Sequence, residues 1–536
     1  MAEFEYRVEI ETADGLTTLT GKKPVGDGAF RLSLDLPEGK LKSAYGSLKM
    51  PMKKNERVFM NGFQTWTYCP EYDKSGRTKG ITKLLKVLVN HYKLDRYGDY
   101  HFVDYPYKKG ITHGESYGYI RDGEFFRLFA SLDENPGYTL FKYDAKAENL
   151  TVERDCAGVK CGGPYPVFTL FFAEGDEAGV FDRWFREMGV SPITNKPIKG
   201  YSSWYNRYEK ISEKTILADL EGCSKVLEPG DLFQVDDGWE PNVGDWLTAD
   251  KKKFPNGMKS VADAIHAKGF EAGLWLAPFV CSTRSKLAKK HPDWLLKVDG
   301  EPWLNGCNWG GFYSLDFDKP EVRAYLRESF RRVFEDWGFD LVKLDFLYGA
   351  APFGSESETR AGRMRRAMEF LREVCGDKLI LGCGVPVMPA FGLVDYCRVS
   401  CDVGLDWDGS WLMRQTHRER VSPRQAIANT VFRRQLNGRA WLSDPDVFFL
   451  REDNLKLTEE EKLTLATVNA LFGGMLLCSD DMGKYNDKAL ELYRRTLETR
   501  GAENIRVEAD TPGLVSVSYE LGGVHKLLKL KGICLK

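Results

Sequence analysis

A lysine and an aspartate two residues apart interrupt an apolar run, Leu341-Val342-Lys343-Leu344-Asp345-Phe346. In a strand the two charges share one face, and Val342, Leu344 and Phe346 take the other. Buried charge is costly unless paired. The pair therefore reads as a structural ion pair, or as a nucleophile or base at the C-terminal end of a barrel strand. Arg398-Val399-Ser400-Cys401-Asp402 repeats the pattern, with Arg398 and Asp402 on one face of a strand and its exit. Asp345 and Asp402, from separate strands, can face each other across a pocket, which is what glycoside hydrolysis needs. Lys343 beside Asp345 favours an ionised carboxylate, suited to a nucleophile. Asp402, after an apolar strand and facing a negative partner, suits an acid of raised pKa. A guanidinium close to Asp402 would lower that pKa, so Arg398 is expected to point at substrate hydroxyls or at the nucleophile.

Four further stretches supply candidates. Asp236-Asp237 ends an apolar segment and suits two vicinal sugar hydroxyls; a metal site or a helix N-cap is the competing reading. Trp204 and Trp275 are each either core or a flat platform for a sugar ring. Cys383, between Gly382 and Gly384, is by itself a small buried residue. Trp66, in the turn Asn61-Gly62-Phe63-Gln64-Thr65-Trp66, is by itself a core or corner tryptophan.

Positioning these residues takes a repeating scaffold. Eight apolar strands are expected near 201–206, 232–236, 272–279, 341–346, 379–383, 396–400, 440–442 and 475–478. Helical stretches fall between them, including 212–227, 319–337, 355–374, 423–436 and 458–471. Val322, Leu326, Phe330, Val333 and Trp337 recur at helical spacing and give one apolar face to lay on a barrel. The alternation predicts a (β/α)8 barrel over 200–500 whose working face is the C-terminal rim of its strands. Residues 1–178 show alternating short segments and Gly, Asp, Asn and Pro turns, predicting an N-terminal β-sandwich. A short helix near 180–188 and a two-proline stretch make 179–199 a linker. Residues 501–536 predict a small C-terminal β region. The fold class is thus multidomain, α/β plus all-β.

The formal net charge of -2 and pI near 6.5 give no electrostatic case for nucleic acid or anionic membranes. No run approaches the roughly 18 apolar residues of a membrane span, and the first residues lack a secretory pattern. Twelve scattered Cys read as reduced thiols, hence a cytoplasmic protein. The seven His show no close metal-ligand spacing, which argues against a His-built metal hydrolase. The expected partner is a small-molecule substrate, with no cofactor; self-association into a homo-oligomer stays open.

In order and at barrel-strand spacing, several motifs resemble those of α-galactosidases of glycoside hydrolase family 36, in the short bacterial form. They are Asn61-Gly62-Phe63-Gln64-Thr65-Trp66, Ser203-Trp204-Tyr205, Gln234-Val235-Asp236-Asp237, Gly273-Leu274-Trp275-Leu276-Ala277-Pro278-Phe279, Lys343-Leu344-Asp345-Phe346, Leu381-Gly382-Cys383-Gly384 and Arg398-Val399-Ser400-Cys401-Asp402. The resemblance implies a retaining double displacement without metal or organic cofactor, on α-galactosides such as melibiose or raffinose. In it Asp345 is the nucleophile and Asp402 the acid and then the base. It further implies that Asp236 and Asp237 hold the 4- and 6-hydroxyls, that Lys343 and Arg398 contact the ring, that Trp275 shapes its face, that Cys383 lies by the 2-hydroxyl, and that Trp66 closes the pocket from the sandwich. Longer family members carry a full C-terminal β domain, so a reduced module is expected here. The alternatives are α-N-acetylgalactosaminide hydrolysis, galactosyl transfer, and, from another class, a non-catalytic sugar-binding protein; a metal-dependent barrel hydrolase ranks below these.

Overall fold

The structure, a computed structural model, describes residues 2–409, 414, 418–511 and 513–533. Its N-terminal part is one eleven-stranded antiparallel sheet that bends over itself as a sandwich. Two strands are far longer than the alternating pattern suggested: Gly28–Lys49 and Lys160–Asp176. The first half of Gly28–Lys49 pairs with Lys160–Asp176, and its second half pairs with Ala2–Thr12 and Asn149–Asp155. One strand thus serves both layers. Shifts of register at Cys161/Gly163 and Pro166/Phe168 let it bend. Phe4, Phe30 and Phe168 meet inside, with ring centroids 4.8 and 5.4 Å from Phe4.

About half of the expected linker is a docked helix, Glu177–Met188; 189–197 lacks helix or strand. Asp176 caps it by accepting from the Gly179 amide at 2.9 Å, and Gly189 ends it at φ 66°. It buries Val180, Phe181, Trp184 and Phe185. The Trp184 indole donates to Ser131 O on the sandwich, while the Phe185 ring meets Phe391 of the barrel. One continuous apolar core therefore runs from the sandwich through this helix into the barrel.

The barrel strands are parallel and in the expected order: Ile198–Ser202, Leu232–Val235, Glu271–Leu276, Leu341–Leu344, Leu379–Gly382 and Tyr396–Arg398, then a broken seventh, then Met475–Cys478. The seventh position holds two pieces, so the sheet has nine strands rather than eight. Leu442–Asp444 pairs with the sixth strand and Val447–Phe448 with the eighth. Pro445, lacking an N–H, and Asp446, at φ 76°, interrupt the ladder between them. The outer helix expected over 319–337 is α-helical over Pro320–Arg331 and ends in a π turn, Arg332–Asp336.

The C-terminal region is a three-stranded meander, Glu503–Thr511, Leu514–Leu521 and Val524–Lys531. Gly522 and Gly523, both at positive φ, supply its second hairpin turn. Arg121 of the sandwich donates to Val507 O at 3.0 Å and Arg424 of the barrel to Gly532 O at 2.8 Å, tying the meander to both larger parts. Residues 512 and 534–536 of this expected region lie outside the described residues.

Candidate active site

The C-terminal ends of the barrel strands open into a cavity of about 860 Å³. Eight of the ten candidates line it: Trp66, Trp204, Asp236, Asp237, Trp275, Lys343, Asp345 and Asp402. Cys383 and Arg398 stand behind the wall, each 1% exposed.

Asp345 follows the last residue of the fourth strand and is 8% exposed. Its Oδ2 accepts from the Trp275 indole at 3.1 Å and its Oδ1 from the Phe346 amide at 2.9 Å, so both oxygens are held. Phe346 sits at φ 53°, a left-handed conformation that costs a bulky residue energy. The turn swings its ring into the cavity lining instead of to the strand's opposite face, as simple alternation predicted. There it meets Trp66 at 5.0 Å and Trp309 at 4.9 Å.

Lys343 does not pair with Asp345. Its Nζ donates to Asp236 Oδ2 at 2.8 Å. The register explains this: Lys343 lies level with Trp275, and Asp236 comes one residue after Val235, which lies level with Leu274. Lys343 and Asp236 thus occupy one layer on the fourth and second strands, and alternate strands fill a layer together. Burial works against the ammonium, but Asp236 and then Asp345 outweigh it, and Lys343 stays protonated with a raised pKa. Asp236 also accepts from Gln234 Nε2 at 2.8 Å, and its amide donates to Ser203 Oγ. With an ammonium on its carboxylate, Asp236 is not arranged as a metal ligand; among the described residues no three His, Cys, Asp or Glu group as one.

Asp237 accepts from the Trp309 indole at 2.8 Å. Burial, then the charge of Glu240, pushes its carboxyl well above the usual range; burial raises Glu240 too. The two acids hold a proton between them, so Asp237 can present a neutral carboxyl. Neither Trp309 nor Glu240 was singled out from sequence. Trp309, at φ 55°, precedes Gly310-Gly311, and a tryptophan before two glycines after the third strand was a usable signal.

Asp402 lies beyond the sixth strand with its side chain 36% exposed. Arg398 is not aimed at the cavity or at Asp345: its Nη2 donates to Asp402 Oδ1 at 2.8 Å and to Asp446 Oδ2 at 2.9 Å. With the guanidinium buried, its charge needs carboxylates as neighbours, and three of them, Asp402, Asp444 and Asp446, surround it.

Trp66 enters from the sandwich. Its indole donates to Cys383 Sγ at 3.3 Å, and Gly384, at φ 57°, leaves the space its ring fills, since a Cβ there would come within 2.7 Å of it. Arg433 of the barrel holds the turn through Asn61 Oδ1, Gln64 O and Thr65 O, and also binds Val399 O. Burial and the adjacent Asp345 raise the Cys383 thiol well above its ordinary value, so it acts as a neutral prop. Trp204 begins the short helix Trp204–Arg207 instead of ending a strand, and its ring edges against Tyr208. The outer wall holds residues not anticipated, Leu84, Leu88, Tyr97, Glu419 and Arg420 among them. Leu84 and Leu88 come from an insertion between two sandwich strands, which the barrel pattern could not indicate.

A family profile described as Melibiase matches residues 198–373. An α-galactosidase of Lactobacillus acidophilus is 32% identical over 152 residues, 27% of this chain and 20% of that protein. An A type blood α-D-galactosamine galactosaminidase of Flavonifractor plautii is 34% identical over 123 residues, 21% of this chain and 11% of that protein. These alignments span a fifth or less of the relatives' own length. An α-galactosidase of Thermus thermophilus, solved with p-nitrophenyl α-D-galactopyranoside, superposes with a TM-score of 0.72 at 26% identity, covering 94% of this chain and 99% of that one. A second structure of it contains stachyose. Motifs, barrel rim and near full-length superposition together make this chain similar to α-galactosidases of the melibiase family.

Proposed function

We propose that the protein is a retaining α-galactosidase acting on terminal α-linked galactose of small oligosaccharides. The observation that carries this reading is the placing of Asp345 and Asp402 on one cavity, beside a Lys343–Asp236 ion pair and two indole donors. In the first step an Asp345 oxygen bonds to the anomeric carbon, the glycosidic bond breaks, and Asp402 gives its proton to the leaving oxygen. In the second Asp402 takes a proton from water, the water oxygen bonds to the anomeric carbon, and Asp345 is released. The Trp275 indole and the Phe346 amide orient the nucleophile. Asp402 is exposed enough to exchange its proton with solvent between steps. Asp236 and the neutral Asp237 offer an acceptor and a donor for sugar hydroxyls. Trp66 and Phe346 supply apolar ring surface.

The Thermus protein's complexes with stachyose and a p-nitrophenyl galactoside, and a Geobacillus stearothermophilus protein's complex with raffinose, support galacto-oligosaccharides as the substrate class. The Flavonifractor relative favours, as second reading, an amino-substituted galactose. A reducing, cytoplasmic setting fits the described cysteines, all of which are free.

The test is hydrolysis of p-nitrophenyl α-galactoside beside p-nitrophenyl α-N-acetylgalactosaminide, with EDTA present. Fast release from the galactoside alone is expected. Turnover of the N-acetyl sugar alone moves the assignment to that sugar, and galactose binding without turnover of either leaves a sugar-binding protein.

A further inference from the structure

Arg398 poses a problem for the proposed acid. A guanidinium at hydrogen-bond distance stabilises the carboxylate, and an acid must hold its proton until the leaving oxygen takes it. The nitrogen that reaches Asp402, Nη2, also reaches Asp446 Oδ2 at 2.9 Å. Asp446 is fully inside the protein, and that same Oδ2 accepts from the Tyr205 hydroxyl at 2.6 Å and the Val403 amide at 2.9 Å. Its backbone is at φ 76°, fixed by its N–H, which donates a hydrogen bond to Asp444 Oδ1, and by Asn469, which donates to its carbonyl. The break in the seventh strand thus presents one carboxylate to one guanidinium.

We propose that Asp446 competes with Asp402 for the single charge of Arg398 and thereby lets the candidate acid keep its proton. Asp446 is a positioning residue, acting through Arg398 and lining no part of the cavity. The inference rests on Asp402 being the acid and base.

The groups facing this cluster allow the competition. Asp402, Asp444 and Asp446 surround Arg398, Lys343 acts on Asp444, Cys383 is a neutral thiol near Arg398, and Tyr208 lies beyond Tyr205. Burial pushes Asp446 up, Arg398 pulls it down, and Asp402 and then Asp444 push it up again, to about 7. Asp402 and Asp446 are therefore linked through one guanidinium nitrogen. When Asp446 is ionised it takes the guanidinium, and a second anion at Asp402 becomes harder to form.

The test compares pH profiles of kcat/KM for wild type, Asp446→Asn and Tyr205→Phe. Phenyl α-galactoside needs acid assistance; 2,4-dinitrophenyl α-galactoside does not. Asp446→Asn removes the competing anion at nearly constant shape. Its alkaline limb on the phenyl substrate is expected about one pH unit lower, a roughly tenfold loss above that limb, with the dinitrophenyl profile unmoved. Tyr205→Phe removes a donor to the Asp446 carboxylate, keeps that group neutral to higher pH, and is expected to move the limb the same way by less. It also gives the answer if Asp446→Asn does not fold. A loss that is uniform in pH, or equal on both substrates, reduces Asp446 to a structural role and overturns the inference. A wild type that hydrolyses neither galactoside overturns the galactosidase reading, and this inference with it; an active wild type with unmoved limbs overturns the inference alone.

Discussion

Replacing Arg433 with methionine removes the guanidinium that binds the sandwich turn to the barrel while keeping most of the apolar stem. The side chain is 1% exposed and donates to four oxygens: Asn61 Oδ1, Gln64 O, Thr65 O and Val399 O, at 2.9, 3.1, 2.6 and 3.0 Å. Each buried acceptor left unpaired costs about 1–3 kcal/mol. Gln64 O keeps the Thr67 amide at 3.0 Å, so three acceptors lose their donor; at the low end, because water can enter the vacated space, they give about 3 kcal/mol. The same turn ends in Trp66, whose indole meets Cys383 and whose ring edges against Phe346, the residue after Asp345. Displacing a positioning group by about 1 Å costs on the order of 100-fold in rate. Arg433→Met is therefore expected to lose about 3 kcal/mol in urea unfolding and about 10- to 100-fold in kcat/KM on p-nitrophenyl α-galactoside. A stability change under about 1 kcal/mol, or full activity in the variant, would refute the idea that this arginine couples the sandwich turn to the site.

Asp402→Ala is expected to lose most activity on phenyl α-galactoside and to recover much of it on the 2,4-dinitrophenyl substrate, which leaves without a proton; equal loss on both contradicts its role as acid. Trp309→Phe keeps a ring but deletes the 2.8 Å bond to Asp237. An increase in KM of about tenfold with kcat nearly unchanged is expected, one hydrogen bond to an acidic group being worth about 1–1.5 kcal/mol; a fall in kcat alone would count against a binding role for Asp237. Asp446, at about 7 in the folded chain and near the ordinary carboxyl value when unfolded, binds more protons folded than unfolded between those values. Its contribution to stability is full below about pH 4 and lost as pH rises through 7, on the order of 4 kcal/mol. Unfolding of wild type and Asp446→Asn at pH 5 and pH 8 checks this: wild type should lose more between the two, and parallel behaviour would reject it.

The barrel was legible because its signals are local. Apolar strands such as Leu341–Leu344 alternate with amphipathic helices such as Pro320–Arg331, and each motif sits at a strand's C-terminal end, where barrel geometry gathers them. Pairing across strands was not legible. Two-residue spacing suggested Lys343 with Asp345, whereas the register sets Lys343 against Asp236, and register is a property of the closed sheet. Arg398 was misjudged for a related reason: Asp444 lies level with it across the sheet, Asp446 reaches it from beyond the break at Pro445, and a Ser-Asp-Pro-Asp stretch after an expected strand at 440–442 gave no sign of which cation it would meet. Trp66 read as a corner residue until the family motif gave it a role, since its place depends on Arg433, far along the chain. The cavity's outer wall was out of reach altogether, because it draws on a sandwich insertion and on residues after Asp402, Glu419 and Arg420 among them, that lie outside every expected strand and helix.

The central claim, covalent catalysis by Asp345, is most directly tested by trapping the intermediate. Asp402→Ala incubated with 2,4-dinitrophenyl α-galactoside should form the galactosyl-enzyme faster than it can hydrolyse it. Acid quenching and peptide mass spectrometry should then find one hexose on the peptide bearing Asp345, and wild type should release α-galactose first by NMR. A hexose on another residue, or no adduct together with β-galactose as the first product, would contradict the account.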